Sequence, residues 1–157
     1  MSTIALKHIL VPTDFSETSR VALRYALALA DRFGACVHLL HAVQNPLDQP
    51  WAAEIYAASV TEFEQSARRE SDTALATMLD ESERQKYCAC LVTEIGPPFL
   101  TIIKYAKREH IDLIVMGTHG RGAIAHLLIG SVAENVVRKA PCPVLTVRNP
   151  EHEFVLP

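Results

Sequence analysis

Residues 112–131 read DLIVMGTHGRGAIAHLLIGS. The stretch opens with a nearly continuous apolar run that ends at Met116, which is typical of a strand buried on both faces of a parallel sheet. Glycines follow at positions 117, 120, 122 and 130, and these are four of the six glycines in the chain. Ser131 then begins a segment with helical spacing. The stretch therefore predicts a strand, a glycine-rich loop and a helix.

The rest of the chain repeats this alternation of strand and helix. The predicted strands are 7–11, 36–43, 88–94, 112–116 and 143–147. The predicted helices run from an N-cap at Ser16 to Gly34, from about 52 to 84, from about 99 to 109, and from 131 to about 139. Such alternation predicts an α/β domain with one parallel sheet, helices on both faces and right-handed crossovers. The 157 residues suit one domain, predicted as 1–148, followed by a tail at 149–157 without periodicity.

Composition excludes several function classes. A net charge of -3 and a pI near 6.1 provide no electrostatic footprint for nucleic acid or an anionic membrane. No apolar run reaches the roughly 18–20 residues of a membrane span, and residues 1–7 lack the features of a secretory signal. The sequence predicts a soluble, cytoplasmic protein without nucleic-acid or membrane partners.

The cysteines and histidines do not form a recognisable metal motif. The four cysteines stand at 36, 88, 90 and 142, in apolar surroundings and without a Cys-x-x-Cys pair, and we expect buried reduced thiols. The alternatives are a disulfide or a metal role. His38 and His41 lie three apart in a predicted strand, so their side chains should point to opposite faces.

The glycine-rich loop has the properties of a phosphate site. Gly117 and Gly120 allow sharp turns and bring backbone N–H groups close to a ligand, while Gly130 and Ser131 stand at a helix N-terminus that favours an anion. The alternative is a flexible loop with a serine cap on the next helix. Neither the lysine-bearing P-loop nor the spacing of a dinucleotide fingerprint is present.

Asp14 is a second candidate for ligand contact. It follows the first strand, at the edge where ligands bind to open parallel sheets. Its carboxylate could accept hydrogen bonds from ribose hydroxyls or an adenine amine. The alternative is a turn residue or a helix cap.

At these residues the chain resembles the universal stress protein family, and specifically its ATP-binding branch. That branch carries the motif Gly-x2-Gly-x9-Gly-Ser/Thr, whose spacing is met by Gly117, Gly120, Gly130 and Ser131. The resemblance covers about residues 5 to 148. Three further segments are similar to the family, VPTDFS at 11–16, LLHAV at 39–43 and PCPVLTV at 141–147.

The resemblance implies a Rossmann-like, nucleotide-binding fold with one open five-stranded sheet of strand order 3-2-1-4-5 and four helices. The residues implied to contact adenine and ribose are Pro12, Thr13, Asp14 and Ala42. Met116 and Gly117 are also implied to line the nucleotide. Those implied to hold the phosphates of ATP, with Mg²⁺ or Mn²⁺, are Gly120, Gly130, Ser131 and Val132.

Two features of the family bear on partners and selectivity. Members usually form homodimers through the last strand, here residues 144–147, whose outer edge would otherwise stay unpaired. Ala42 stands where a bulkier valine is common, which we expect to loosen selectivity for the base.

The resemblance favours an ATP-binding regulatory module of the stress response, with at most slow ATP hydrolysis. One alternative is a true ATPase or phosphotransferase, which needs a group that orients water or an acceptor and a positive charge beside the phosphoryl group. His119, Arg121 and Asp14 are the candidates for those roles. Arg121 could contact the phosphates or could be a solvated loop residue. The remaining alternative is a structural stress dimer that no longer binds nucleotide.

Overall fold

The computed structural model describes residues 4–45, 60–118 and 130–148. Within these ranges five strands alternate with helices. The strands are β1 (His8–Pro12), β2 (Cys36–Val43), β3 (Cys90–Ile95), β4 (Leu113–Gly117) and β5 (Val144–Val147). The helices are α1 (Glu17–Phe33), α2 (Val60–Met78), α3 (Glu81–Lys86), α4 (Pro98–Arg108) and α5 (Ser131–Lys139).

The five strands form one parallel sheet in the order β3-β2-β1-β4-β5. This confirms the predicted α/β architecture and the strand order 3-2-1-4-5. The order reverses at β1, which pairs with both β2 and β4. In open parallel sheets this reversal opens a crevice at the carboxyl ends of the strands, where ligands bind.

Each face of the sheet is covered by its own helices. The first face buries Val11, Leu39 and Val115 together with apolar residues of α1 and α2. The second face buries Leu10 and Leu40 with residues of α4 and α5. Because side chains alternate along a strand, each strand contributes to both clusters, and this explains the continuous apolar runs in the sequence.

The boundaries of α1 are those expected from the sequence. Ser16 has extended backbone angles, and its hydroxyl accepts a hydrogen bond from the N–H of Ser19. Gly34 ends the helix in the left-handed region at φ 67°. These are the N-cap and C-cap roles predicted for the two residues.

The single long helix predicted over about 52–84 is interrupted at residues 79–80, so its continuity is wrong. The described part of α2 ends at Met78, and α3 begins a new helix after Asp80. Asp80 accepts from the N–H of Glu83, whose carboxylate accepts from the N–H of Asp80, so the two residues form a capping box. The box satisfies N–H groups that a continuous helix would have bonded internally, and it therefore favours the break. Residues 52–59 lie outside the described ranges.

Two of the four cysteines form a disulfide, so the prediction of buried reduced thiols is wrong. Cys36 and Cys88 are bonded, with their Cα atoms 5.1 Å apart and a sequence separation of 52. A cross-link of that span contributes about 4 kcal/mol in the chain-entropy description. Cys90 is a free, exposed thiol and Cys142 is free and half-buried. The N–H of Val37 donates to the carbonyl of Tyr87, which brings the start of β2 beside Cys88.

Among residues 4–45, 60–118 and 130–148, no helix combines the length and apolar character that a bilayer requires.

Candidate functional site

The carboxyl end of β1 is shaped by hydrogen bonds of Thr13. Its N–H donates to the carbonyl of Leu40 at 2.8 Å, which continues the pairing with β2. Its hydroxyl lies 2.9 Å from that of Ser19 and accepts from the N–H of Phe15 at 3.0 Å. Thr13 is 6% exposed. The side chain therefore holds the loop against α1, and a contact between Thr13 and a nucleotide stays a prediction.

Asp14 has the turn role that was one of its two predicted alternatives. Its Oδ1 accepts a hydrogen bond from the N–H of Ser16 at 3.0 Å, an interaction that shapes the chain for the start of α1. The helix cap itself is Ser16. Asp14 is half-buried at the end of β1. Its predicted contact with ribose or adenine is compatible with this position and remains untested.

Three further predicted residues share one face of the sheet. Pro12, Ala42 and Met116 each lie two residues beyond a side chain of the second core cluster, namely Leu10, Leu40 and Ile114. Because strand side chains repeat with a period of two, all three belong to the face covered by α4 and α5. Met116 is itself part of that cluster and is 5% exposed. Its side chain packs in the core, which leaves its backbone to line a ligand.

Gly117 has a packing reason to be glycine. A Cβ atom at this position would lie 2.7 Å from Cγ2 of Thr18 and 3.2 Å from its backbone carbon. The first turn of α1 therefore approaches the end of β4 closely. Its place in the glycine-rich loop predicts a close approach of a ligand, and the structure adds an independent packing reason that holds without any ligand.

The N-terminus of α5 lies next to the end of β4. Gly130 is the N-cap, with φ -69° and ψ 154°, and no side chain caps the helix. Its N–H donates to the carbonyl of Thr118 at 2.6 Å, and its carbonyl accepts from the N–H of Glu134. Ser131 is exposed, and Val132 packs against the second core cluster. Within the described residues no side chain caps this helix start, and uncapped N–H groups at a helix N-terminus favour an anion, so phosphate binding there stays a prediction.

The remaining predicted phosphate residues, Gly120 and Arg121, lie outside the described residues, as does His119. The backbone angles of Gly130 are open to any residue, so its conformation does not require glycine. A close ligand approach remains the predicted reason for its lack of a side chain.

His38 and His41 lie on opposite faces of the sheet, as the alternation of side chains along a strand predicts. His38 lies on the second face, where its Nδ1 is 2.8 Å from the hydroxyl of Tyr105 and its Nε2 is 3.1 Å from Nδ1 of His8. Burial, followed by the nearby charge of His8, lowers the pKa of His38. His41 lies on the opposite face, with its Nδ1 2.7 Å from the carbonyl of Thr13. Across the described ranges, no three His, Cys, Asp or Glu side chains are grouped to hold a metal ion.

An open cleft of about 270 Å³ lies on the other face of the sheet. It is lined by Phe15, His41, Glu70, Ser71 and Ala74. The rings of Phe15 and His41 are 4.5 Å apart, and Phe15 has a positive φ of 65°. No motif in the sequence points to this cleft. The left-handed backbone of Phe15 could not be predicted from the sequence, because bulky residues rarely adopt it and it depends on the surrounding structure.

A comparison with protein-family models matches residues 5–148 to the universal stress protein family. The chain belongs to the universal stress protein family.

Curated relatives support the membership over almost their full lengths. The universal stress protein MJ0577 of Methanocaldococcus jannaschii is 31% identical, and the match covers 93% of this chain and 97% of that protein. A universal stress protein of Thermus aquaticus is 33% identical, with 90% of this chain and 98% of that protein covered.

Solved structures agree with this universal stress protein in fold. The structure of MJ0577 superposes with a TM-score of 0.78 at 30% identity, covering 93% of this chain and 98% of that one. A universal stress protein solved in complex with cAMP superposes with a TM-score of 0.63 at 25% identity, covering 92% and 98%.

In this universal stress protein, Pro12, Ala42 and Met116 share the sheet face that α5 covers. Thr13 and the side chain of Met116 are occupied by internal packing.

Proposed function

We propose that this universal stress protein binds an adenine nucleotide, ATP with Mg²⁺ or Mn²⁺, and acts as a nucleotide-dependent regulatory module of the stress response. The observation that carries the proposal is the α5 N-terminus, which has no side-chain cap and lies on the same sheet face as Pro12 and Ala42. The family membership and the relative solved with cAMP support an adenine ligand.

In this proposal the base and the phosphates of the nucleotide contact different parts of the protein. Pro12 and Ala42 offer small apolar contacts for a base at the ends of β1 and β2, and Asp14 offers a carboxylate at the same edge. The first turn of α5, from Gly130 to Val132, offers backbone N–H groups and the Ser131 hydroxyl to phosphate. Gly117 joins the two regions at the end of β4.

In this proposal the divalent cation binds beside the phosphates. Because the described residues hold no group of three metal-binding side chains, a divalent cation would be bound mainly by phosphate oxygens. The Ser131 hydroxyl is the neutral oxygen ligand at the helix start. When bound, the cation would neutralise phosphate charge and orient the chain of phosphates.

Binding with slow turnover suits the described residues better than fast catalysis. Fast phosphoryl transfer needs a group that positions the attacking oxygen. Asp14 is the described candidate, and its Oδ1 accepts from the N–H of Ser16. Regulation would then follow from the bound state of the module.

We also propose a homodimer through β5. This strand is at the edge of the sheet, and Leu145 is 38% exposed there. A second copy of β5 would pair the open edge and cover this side chain.

Release and rebinding of nucleotide test the proposal. Purified protein is denatured, released nucleotide is identified by chromatography, and emptied protein is titrated with ATP and Mg²⁺. At 100 times the dissociation constant, binding should add about 2.7 kcal/mol, or about 5 to 10 °C in Tm.

The variant Gly130→Val sharpens this test. Its new side chain fits the extended backbone at position 130 and should block phosphate approach, so the ATP-dependent shift should disappear while the unliganded Tm stays within a few degrees. An unchanged shift in the variant would place the phosphates elsewhere. The absence of any shift in the wild type would reject ATP as the ligand.

A further inference from the structure

Three cysteines meet at one corner of the sheet. In the pairing of β2 with β3, Cys90 stands opposite His38. Cys36 precedes His38 by two residues and Cys88 precedes Cys90 by two, so Cys36 and Cys90 lie on the same face and Cys88 is bonded to Cys36. The register therefore places Cys90 diagonally across from Cys36, on one face of the β2–β3 pair.

Two of the three cysteines are exposed residues. Cys88 and Cys90 are exposed, on and before the edge strand β3, and Cys36 is half-buried. Thiol–disulfide exchange requires access to a disulfide sulfur and a second thiol to displace the first product. His38, opposite Cys90, already has its two ring nitrogens near His8 and Tyr105, so the proton of the Cys90 thiol leaves to solvent.

We propose that Cys36, Cys88 and Cys90 form a thiol–disulfide exchange site that reacts with a low-molecular-weight thiol of the glutathione class. Cys88 is the sulfur that is attacked, and Cys90 is the resolving thiol. Cys142 packs beside the second core cluster and takes no part.

The proposed sequence balances in two steps. The thiolate of the small thiol attacks Sγ of Cys88, the bond to Cys36 breaks, and the Cys36 thiolate takes up a proton from solvent. The thiolate of Cys90, after losing its proton to solvent, then attacks Sγ of Cys88. The small thiol leaves unchanged, and the disulfide has moved from Cys36–Cys88 to Cys88–Cys90.

The exchange changes what the disulfide connects. In its first position it closes a 52-residue separation that contains all of α2 and α3, and so ties the start of β2 to the turn before β3. In its second position it links residues two apart within one segment. The small thiol would thus remove a long-range constraint from the half of the sheet that carries β2 and β3.

Peptide mapping can follow this movement. The full-length protein is incubated with a reduced and oxidised glutathione buffer, quenched with acid, alkylated and digested with trypsin. Cleavage after Arg32, Arg68, Lys86 and Lys104 separates residues 33–68, which contain Cys36, from residues 87–104, which contain Cys88 and Cys90. A disulfide between these peptides with the alkyl group on Cys90 reports the first position, and an internal disulfide in 87–104 reports the second.

The variant Cys90→Ser should stop the sequence after its first step. We expect glutathione attached to Cys88 to accumulate roughly tenfold above the wild-type level, because only the reverse attack by Cys36 still removes it, and we expect no internal disulfide in 87–104. Cys142→Ser is the matched control and should behave as the wild type. Equal amounts of the mixed disulfide in wild type and Cys90→Ser would overturn the resolving role, and an untreated protein without the 33–68 to 87–104 link would overturn the site itself. Circular dichroism on each variant confirms that the fold is retained.

Discussion

Ser131→Asp should push stability and nucleotide affinity in opposite directions. Ser131 is exposed at the first position of α5, a helix without a side-chain cap. A carboxylate there interacts favourably with the helix dipole and should stabilise the unliganded protein by about 0.3–1 kcal/mol. The same carboxylate would occupy the region proposed for the phosphates, which are also negative. A merely structural role for Ser131 predicts only the first effect.

The size of the loss in affinity follows from Coulomb's law. Two unit charges about 5 to 6 Å apart repel by about 3 kcal/mol at an effective dielectric of about 20, which corresponds to a roughly 100-fold weaker affinity in dilute buffer. Near 0.15 M salt the Debye length of about 8 Å reduces the repulsion by about half, and the loss falls to roughly tenfold. The dependence on salt is therefore part of the prediction.

Calorimetric titration with ATP at two salt concentrations measures the affinities, and thermal unfolding without nucleotide measures stability. The titrations are run without divalent cations, because an added carboxylate could recruit Mg²⁺ and offset the repulsion. Ser82→Asp is the matched control: it makes the same substitution at an exposed position in the first turn of α3 and should leave ATP affinity unchanged. If Ser131→Asp binds ATP like the control at both salt concentrations, the phosphates do not lie at the start of α5.

Two further predictions concern stability. Gly117→Ala should lower the free energy of unfolding by about 1–3 kcal/mol because its Cβ overlaps Thr18, and a urea midpoint equal to that of the wild type would contradict this packing. Stability should fall as the pH drops below about 6.5, because the lowered pKa of buried His38 makes the unfolded state bind more protons there. Urea unfolding between pH 7.5 and 5.5 should show a shallower decline in His38→Gln, and equal slopes would assign the effect to other groups.

Substitutions at Gly117 and at Ser131 test different properties of the protein. Its substitution acts on the contact with α1, so a loss of nucleotide binding there would not separate ligand contact from packing. Position 131 is exposed and avoids that ambiguity.

Local signals in the sequence were sufficient for the arrangement of strands and helices. The apolar runs at residues 36–43 and 112–116, the cap at Ser16 and the glycine at 34 each depend on near neighbours, and the structure confirms the alternating strands and helices that they predict. The strand order, which the family resemblance implied, is confirmed as well. The capping box at Asp80 is also local and could have been read from the spacing of Asp80 and Glu83.

Other features depended on residues that are distant in the sequence. The disulfide forms because the pairing of β2 with β3 brings Cys36 beside Cys88. The contact of Gly117 with Thr18 and the internal hydrogen bonds of Thr13 arise only when α1 packs on the sheet. Periodicity and caps depend on residues in the same turn or strand, so the sequence alone reveals them. Contacts between residues that are distant in the sequence depend on how the whole chain packs, and for this protein only the tertiary structure decided them.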